Sequence, residues 1–322
     1  MTTTVLVQKN WRTPDLLRQT PGRSGVWDGI RFVMEPVDAC DYLLILNMPE
    51  QPVTTVCPRE HVWAIMQEPP NEVFRRMHRG RRQYHRVYTQ HPRLTGRKYI
   101  HSQPAIAWHV DRDYDFLKDC PIPHKTAAAS CITSAKTDFR GHVERLNFVQ
   151  KLQKTVEFDL FGRGFREIAD KWDGLAPYRY SIAIENFRND WYWSEKIADC
   201  FLAWTMPIYY GCPRIAEYFP AESLVSIDIR DPDATRIVQE TIRSDRWLRN
   251  IDAIAEARRL VLERHQLFSF VAQEIRRYEE GISGPPPKAV RVHVPNKLPF
   301  AVRVEERLLN QAVKVRRLLR GY

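Results

Sequence analysis

The chain has 322 residues, 43% of them hydrophobic, and 49 Lys and Arg against 39 Asp and Glu, a formal net charge of +10. Such a length can bury a full core and, at roughly 100–200 residues per domain, predicts two domains. The positive surplus suits an anionic partner, which composition leaves open among a nucleic acid, a nucleotide-linked substrate and an acidic membrane surface. No window approaches the roughly 20 apolar residues of a membrane span, and the opening MTTTVLVQKNWRT lacks the basic-then-apolar order of a secretory signal. The cysteines (Cys40, Cys57, Cys120, Cys131, Cys200, Cys212) are dispersed with no C-x-x-C pair, which predicts a reduced, cytoplasmic protein.

In chain order, residues 4–7, 41–47, 62–66 and 86–89 are short apolar runs between turns, each a candidate buried strand. PIPH at 121–124 reads as a linker. Residues 126–133 and 157–161 are again strand-like, and between them 142–154 has helical spacing with Val143, Leu146, Val149 and Leu152 on one side. A β-prone stretch follows at 178–184, then a loop at 186–190. Ser194 can cap a helix whose stripe is Ile197, Ala198, Phe201 and Leu202, and Pro207 is expected to end it. A strand at 208–210 stops at Gly211, and Pro213 suits the start of another helix. This alternation predicts an α/β fold with parallel sheet. Residues 233–280 are helical in composition, GISGPPP at 281–287 breaks them, and 302–319 returns to helical spacing as a basic amphipathic tail.

Chemistry concentrates at the turns of residues 181–220. The first N–H groups of a helix beginning near Ser194 lack intrahelical partners and sit at the positive end of its dipole, so a phosphate is well placed there and Lys196 adds a full charge. Glu195 beside it would repel a phosphate but can accept hydrogen bonds from sugar hydroxyls such as those of a ribose. Both residues are equally ordinary in a first helical turn. Three D-x-D triplets (Asp111 with Asp113, Asp113 with Asp115, Asp231 with Asp233) arise easily in charged loops, and the His residues show no metal-ligand spacing. The run RRMHRGRRQYHR at 75–86 has the charge of a nucleic-acid groove without any accompanying motif, so nucleic acid is not expected as a partner.

The segments IENFRNDWYWSEK and FLAWTMPIYYGCPRIAEYFP resemble the signature of the α-1,3/1,4-fucosyltransferases, glycosyltransferase family 10. There a strand ends in F-E-N, T-E-K follows after some ten residues, and an apolar helix leads to P-I-Y-x-G-x-P. Glu185 and Asn186 match the E-N, Tyr192 an aromatic three residues before the second Glu, and Ser194, Glu195 and Lys196 the T-E-K. Upstream, RLNFVQKLQKTVEFDLFGRG is similar to the stretch whose Arg binds the donor diphosphate, which points to Arg145 and more weakly to Arg140. VWAIMQEPPNEVF resembles the strand ending in E-S-P and nominates Glu68 as catalytic base, partly buried and aimed by Pro69 and Pro70.

The resemblance implies two facing Rossmann-like α/β domains of GT-B type: an acceptor-side domain at 1–122, a donor domain at 123–284 and the tail at 285–322. It implies inverting transfer of fucose from GDP-fucose to a glycan hydroxyl, with Arg145 and Lys196 on the diphosphate, Glu195 on the ribose, and Tyr192, Asn186 and Glu185 shaping or bracing the sugar pocket. No cofactor and no divalent metal are required. The tail is expected to meet an anionic membrane surface, which would make the cytoplasmic enzyme peripheral. Another nucleotide sugar, or a non-catalytic carbohydrate- or nucleic-acid-binding protein on the same fold, are the competing readings.

Overall fold

The computed structural model describes residues 2–71 and 74–297, and beyond them residues 308, 311 and 315. The chain divides into two units, Ile106–Leu267 and Met1–Ala105 with the chain from Phe268 onward.

The first unit holds β1 (Thr4–Lys9), β2 (Val26–Trp27), β3 (Ile30–Val33), β4 (Tyr42–Leu46), β5 (Val53–Pro58), β6 (Val62–Ile65), β7 (Arg86–Thr89) and β8 (Tyr99–His101). Its main sheet runs β2-β3-β1-β4-β6-β7-β8 and is parallel except where β2 meets β3. Every residue of β4 and β6 is buried, as expected of apolar strands covered on both faces. β5 lies outside this sheet and pairs antiparallel with Ala289–Val294.

The helix Leu267–Glu280 also packs here. The Phe268 ring meets Phe32 edge-on at 4.9 Å, and Tyr42 and Tyr88 donate hydroxyl hydrogen bonds to Glu279 (3.0 Å) and Glu274 (3.1 Å). The sequence assigns this helix to the second domain and the boundary to 122/123. The structure instead ends the first stretch at Ala105 and returns the chain to the same unit at Phe268, because the helix buries its apolar face against the first sheet.

The second unit contains α1 (Tyr114–Asp119), β9 (Ala127–Ile132), α2 (Arg140–Leu152), β10 (Asp159–Phe161), β11 (Tyr178–Ile184), α3 (Glu195–Leu202), β12 (Met206–Tyr210), β13 (Val225–Ser226), α4 (Ala234–Arg243), α5 (Arg246–Arg249) and α6 (Ile251–Leu260). Its sheet is wholly parallel in the order β10-β9-β11-β12-β13. Phe148, Val149 and Leu152 of α2, Ile182 and Ile184 of β11, and Val238 of α4 belong to one buried core on this sheet. Because β9 has β10 on one side and β11 on the other, the strand order reverses between β9 and β11. The crevice beyond their carboxyl ends is where open parallel sheets bind ligands.

Local expectations changed at three points. Pro207 does not end α3: that helix stops at Leu202, and Trp204 follows with φ +58°. Pro207 lies inside β12, opposite Ser181 and one residue before β12 gains β13 as its second neighbour, so its missing N–H breaks no ladder on that side. Only the short turn Ile215–Glu217 follows Pro213. The amphipathic tail falls outside the described residues, apart from the helical positions 308, 311 and 315. No helix among the described residues is long and apolar enough to cross a membrane.

Candidate functional site

Glu185 and Asn186 leave the carboxyl end of β11 at the switch point, and the chain returns through Tyr192 to Ser194, which caps α3. The cap is double. Ser194 Oγ accepts from the Lys196 backbone N–H at 3.4 Å and donates to Glu185, 2.7 and 2.8 Å from its two oxygens. The Ser194 backbone N–H adds a bond to the same carboxylate at 2.8 Å. Glu185 is fully buried and also lies 3.3 Å from Lys196 Nζ, so it braces the loop between strand and helix. A Cβ at Gly211 would fall 2.5 Å from Glu185 Cγ and 2.3 Å from the Tyr209 hydroxyl, which explains a glycine there.

Beside this brace lies a chain of alternating charge. Lys196 Nζ reaches Glu195 Oε1 at 3.5 Å, and Lys171 Nζ reaches the same oxygen at 3.3 Å. Lys171 continues to Asp199 Oδ2 at 2.9 Å, and Asp199 Oδ1 accepts the backbone N–H groups of His109 (2.7 Å) and Val110 (3.3 Å). Burial by itself would lift the Glu195 carboxyl, but Lys196 and Lys171 outweigh it and hold the group well below the usual carboxylate range. Burial likewise opposes both ammonium charges, yet Asp199 and Glu195 raise Lys171, and Glu185 and Glu195 raise Lys196. All three groups therefore stay ionised at neutral pH.

Arg145 comes from the second turn of α2 and is 4% exposed. Its Nη2 donates to the Ser134 carbonyl at 3.2 Å, just past the end of β9, and its Nε is buried without a partner. Burial lowers its pKa against the pull of Cys131, Glu185 and Glu195, so Arg145 shares the electrostatic neighbourhood of the cluster. His142, one turn earlier, meets Asn186 (Nε2 to Nδ2, 3.1 Å), and its pKa is pushed down to about 4 by burial and then by Arg145. The imidazole is neutral at physiological pH. Tyr192 is buried with its ring edge-on to Phe187 at 5.9 Å. The structure thus gathers Glu185, Asn186, Tyr192, Glu195, Lys196 and Arg145 at one end of one sheet.

Arg140 opens α2 with its side chain exposed and paired with Glu144 at 2.6 Å. Glu68 belongs to the first unit, just past β6, where Asn47 Oδ1 accepts its N–H at 3.3 Å and His78 meets its carbonyl at 2.7 Å. Its residue is exposed, so the partial burial expected from the sequence is not present, because the chain has already left the sheet there. Of the D-x-D acids, Asp113 caps α1 through the Phe116 N–H, and Asp231 accepts from the Asp233 N–H within a turn.

Sequence reasoning missed Lys171, Asp199, His109 and His142. One signal was available for the first two: Asp199 sits within the apolar stripe of α3, and a buried carboxylate there requires a cation.

Residues 122–239 match the family model for glycosyltransferase family 10 (fucosyltransferase), C-terminal domain. Among curated relatives, alpha-(1,3)-fucosyltransferase FucT of Helicobacter pylori is 33% identical over 60 residues, 19% of this chain and 13% of that protein. A putative fucosyltransferase-like protein of Arabidopsis thaliana is 31% identical over 130 residues, 38% of this chain and 24% of that protein. The matches therefore span less than a third of either relative's own length. A solved α1,3-fucosyltransferase structure aligns over 79% of this chain and 80% of its own at 15% identity, with a TM-score of 0.49. The family-model match, residues 122–239, spans the segment that supplies both strands of the switch point and the Glu195–Lys196 pair.

Proposed function

We propose that the chain is an inverting glycosyltransferase that moves fucose from GDP-fucose to a hydroxyl of a glycan acceptor. The observation that supports this most is the joining of a helix start, the buried Arg145, the partly buried Lys196 and one ionised Glu at the β9–β11 switch point, inside the segment that matches the family 10 model. The positive end of the α3 dipole, with Lys196 and Arg145, would receive the diphosphate. Glu195, kept ionised by its lysines, would accept from the ribose hydroxyls. Tyr192 and Asn186 would border the transferred sugar, while Glu185 braces their loop.

In the transition state, negative charge grows on the departing GDP. Cations already fixed in a buried site stabilise it without reorganising, the largest common source of rate acceleration. Lys196 is shared between Glu185 and Glu195, so its ammonium must turn part of its charge to the incoming phosphate. This reading uses no divalent cation, since side chains supply the neutralising charge. Glu68 is the base to which the resemblance points: it would take the acceptor proton as the hydroxyl attacks the anomeric carbon.

The test is transfer from GDP-fucose by Lys196→Gln and Arg145→Gln, alongside circular dichroism to confirm folding. Each substitution is expected to lower kcat/KM about a hundredfold, the usual cost of losing one charge-stabilising donor. Near-normal turnover in both folded variants would overturn the assignment.

A further inference from the structure

We propose that Lys171 is a positioning residue for nucleotide recognition, fixing one carboxylate oxygen of Glu195 so that the other is presented to the ribose. The inference rests on the donor-site reading above and adds to it a residue that the resemblance did not nominate.

Lys171 opens the turn Lys171–Gly174, which is itself anchored: Asp170 accepts the Trp172 N–H at 2.9 Å and pairs with Arg112 at 2.8 Å. The Lys171 ammonium lies between two carboxylates, 2.9 Å from Asp199 Oδ2 and 3.3 Å from Glu195 Oε1. The first has no freedom, because Asp199 is 1% exposed and its other oxygen holds the backbone at His109 and Val110. A cation pinned in this way can only fix the second. The other neighbours of Glu195, Lys196 Nζ at 3.5 Å and His109 Nδ1 at 3.9 Å, reach the same Oε1. Among the described residues the polar contacts of Glu195 converge on that one oxygen, and its side chain keeps 14% exposure. Oε2 remains with both lone pairs, which match two neighbouring hydroxyls.

A purely structural role would make Lys171 no more than the counter-ion of buried Asp199. The two roles separate in a double variant. Lys171→Met alone strands a buried carboxylate and is expected to lower the melting temperature, whereas Lys171→Met with Asp199→Asn removes both charges, a replacement that buried pairs often tolerate. The side-chain amide oxygen that Asp199→Asn leaves in place would still accept the His109 N–H.

Calorimetric titration with GDP, 2′-deoxy-GDP and 3′-deoxy-GDP reads the outcome. Wild type is expected to prefer GDP by about tenfold or more, the usual scale for a hydrogen bond to a charged group. Glu195→Gln should lose most of that preference, and the double variant should lose it to within about threefold even though its melting temperature recovers. A stable double variant that keeps the wild-type ratio would overturn the proposal while leaving the donor site standing. Absent GDP binding by wild type, or an unchanged ratio in Glu195→Gln, would overturn the donor-site reading and this inference with it.

Discussion

At the residue scale the site depends on contacts too close to tolerate small additions. Gly141, in the first turn of α2, faces the backbone of Asn186: a Cβ there would fall 1.8 Å from the Asn186 carbonyl oxygen. Gly141→Ala must push α2 and the β11 exit apart, and is expected to cost about 1–3 kcal/mol and to weaken GDP binding together with stability. An unchanged melting temperature would mean that the two segments are not in contact. Ser194 makes the complementary case. Ser194→Ala removes a hydroxyl that both caps α3 and serves a buried carboxylate, at about 1–3 kcal/mol for the charged bond and about 1 kcal/mol for the cap. Ser194→Thr should be nearly neutral by denaturant unfolding; equal losses in Ala and Thr would show that the hydroxyl is not what matters. The Ser194 cap, Glu195 and Lys196 were legible because their spacing around a helix start has a physical meaning. Lys171 was not, because nothing in ADKWDG marks a lysine that will sit between carboxylates brought from a helix more than twenty residues away.

At the scale of elements, the same sheet is fastened differently at its two ends. The carboxyl end carries the paired charges of the site. At the amino end, just before β9, Lys125 Nζ donates to the carbonyls of Ala176 and Ala203, both at 2.9 Å, and to Thr205 Oγ1 at 3.2 Å, with no carboxylate among these partners. Burial lowers its pKa to about 7. Between that value and the ordinary lysine range the unfolded chain binds the proton more readily than the folded one, so stability rises with pH across this window. The expected result is a wild-type melting temperature that climbs relative to Lys125→Met from pH 7 to 9.5. A constant difference would show that Lys125 titrates normally. Strands β7 and β11 were legible to the residue because their apolar runs end at clear turns. β5 and the strand Ala289–Val294 were not: they pair with each other outside the main sheet, and neither has a fully buried pattern.

At the scale of the whole molecule, both units are α/β with parallel sheets, as the alternation of apolar runs predicted. Each sheet reverses its strand order once, between β1 and β4 in the first and between β9 and β11 in the second. The unit boundary was much less legible. A polar, proline-bearing stretch such as PIPH resembles a linker whether or not a core ends there, and a helix does not announce which sheet will cover it. Contacts with the first sheet, among them those of Phe268, Glu274 and Glu279, return the helix Leu267–Glu280 to that unit. The central claim is that the second unit receives a guanosine diphosphate sugar at its switch point. The most direct measurement is the thermal stability of the full chain with GDP-fucose, a UDP-sugar and CMP-sialic acid, each at a hundred times the dissociation constant found for GDP. A specific ligand at that excess stabilises by about 2.7 kcal/mol, so GDP-fucose is predicted to raise the melting temperature by several degrees while the other two leave it unchanged. A shift with UDP- or CMP-sugar and none with GDP-fucose would contradict the account.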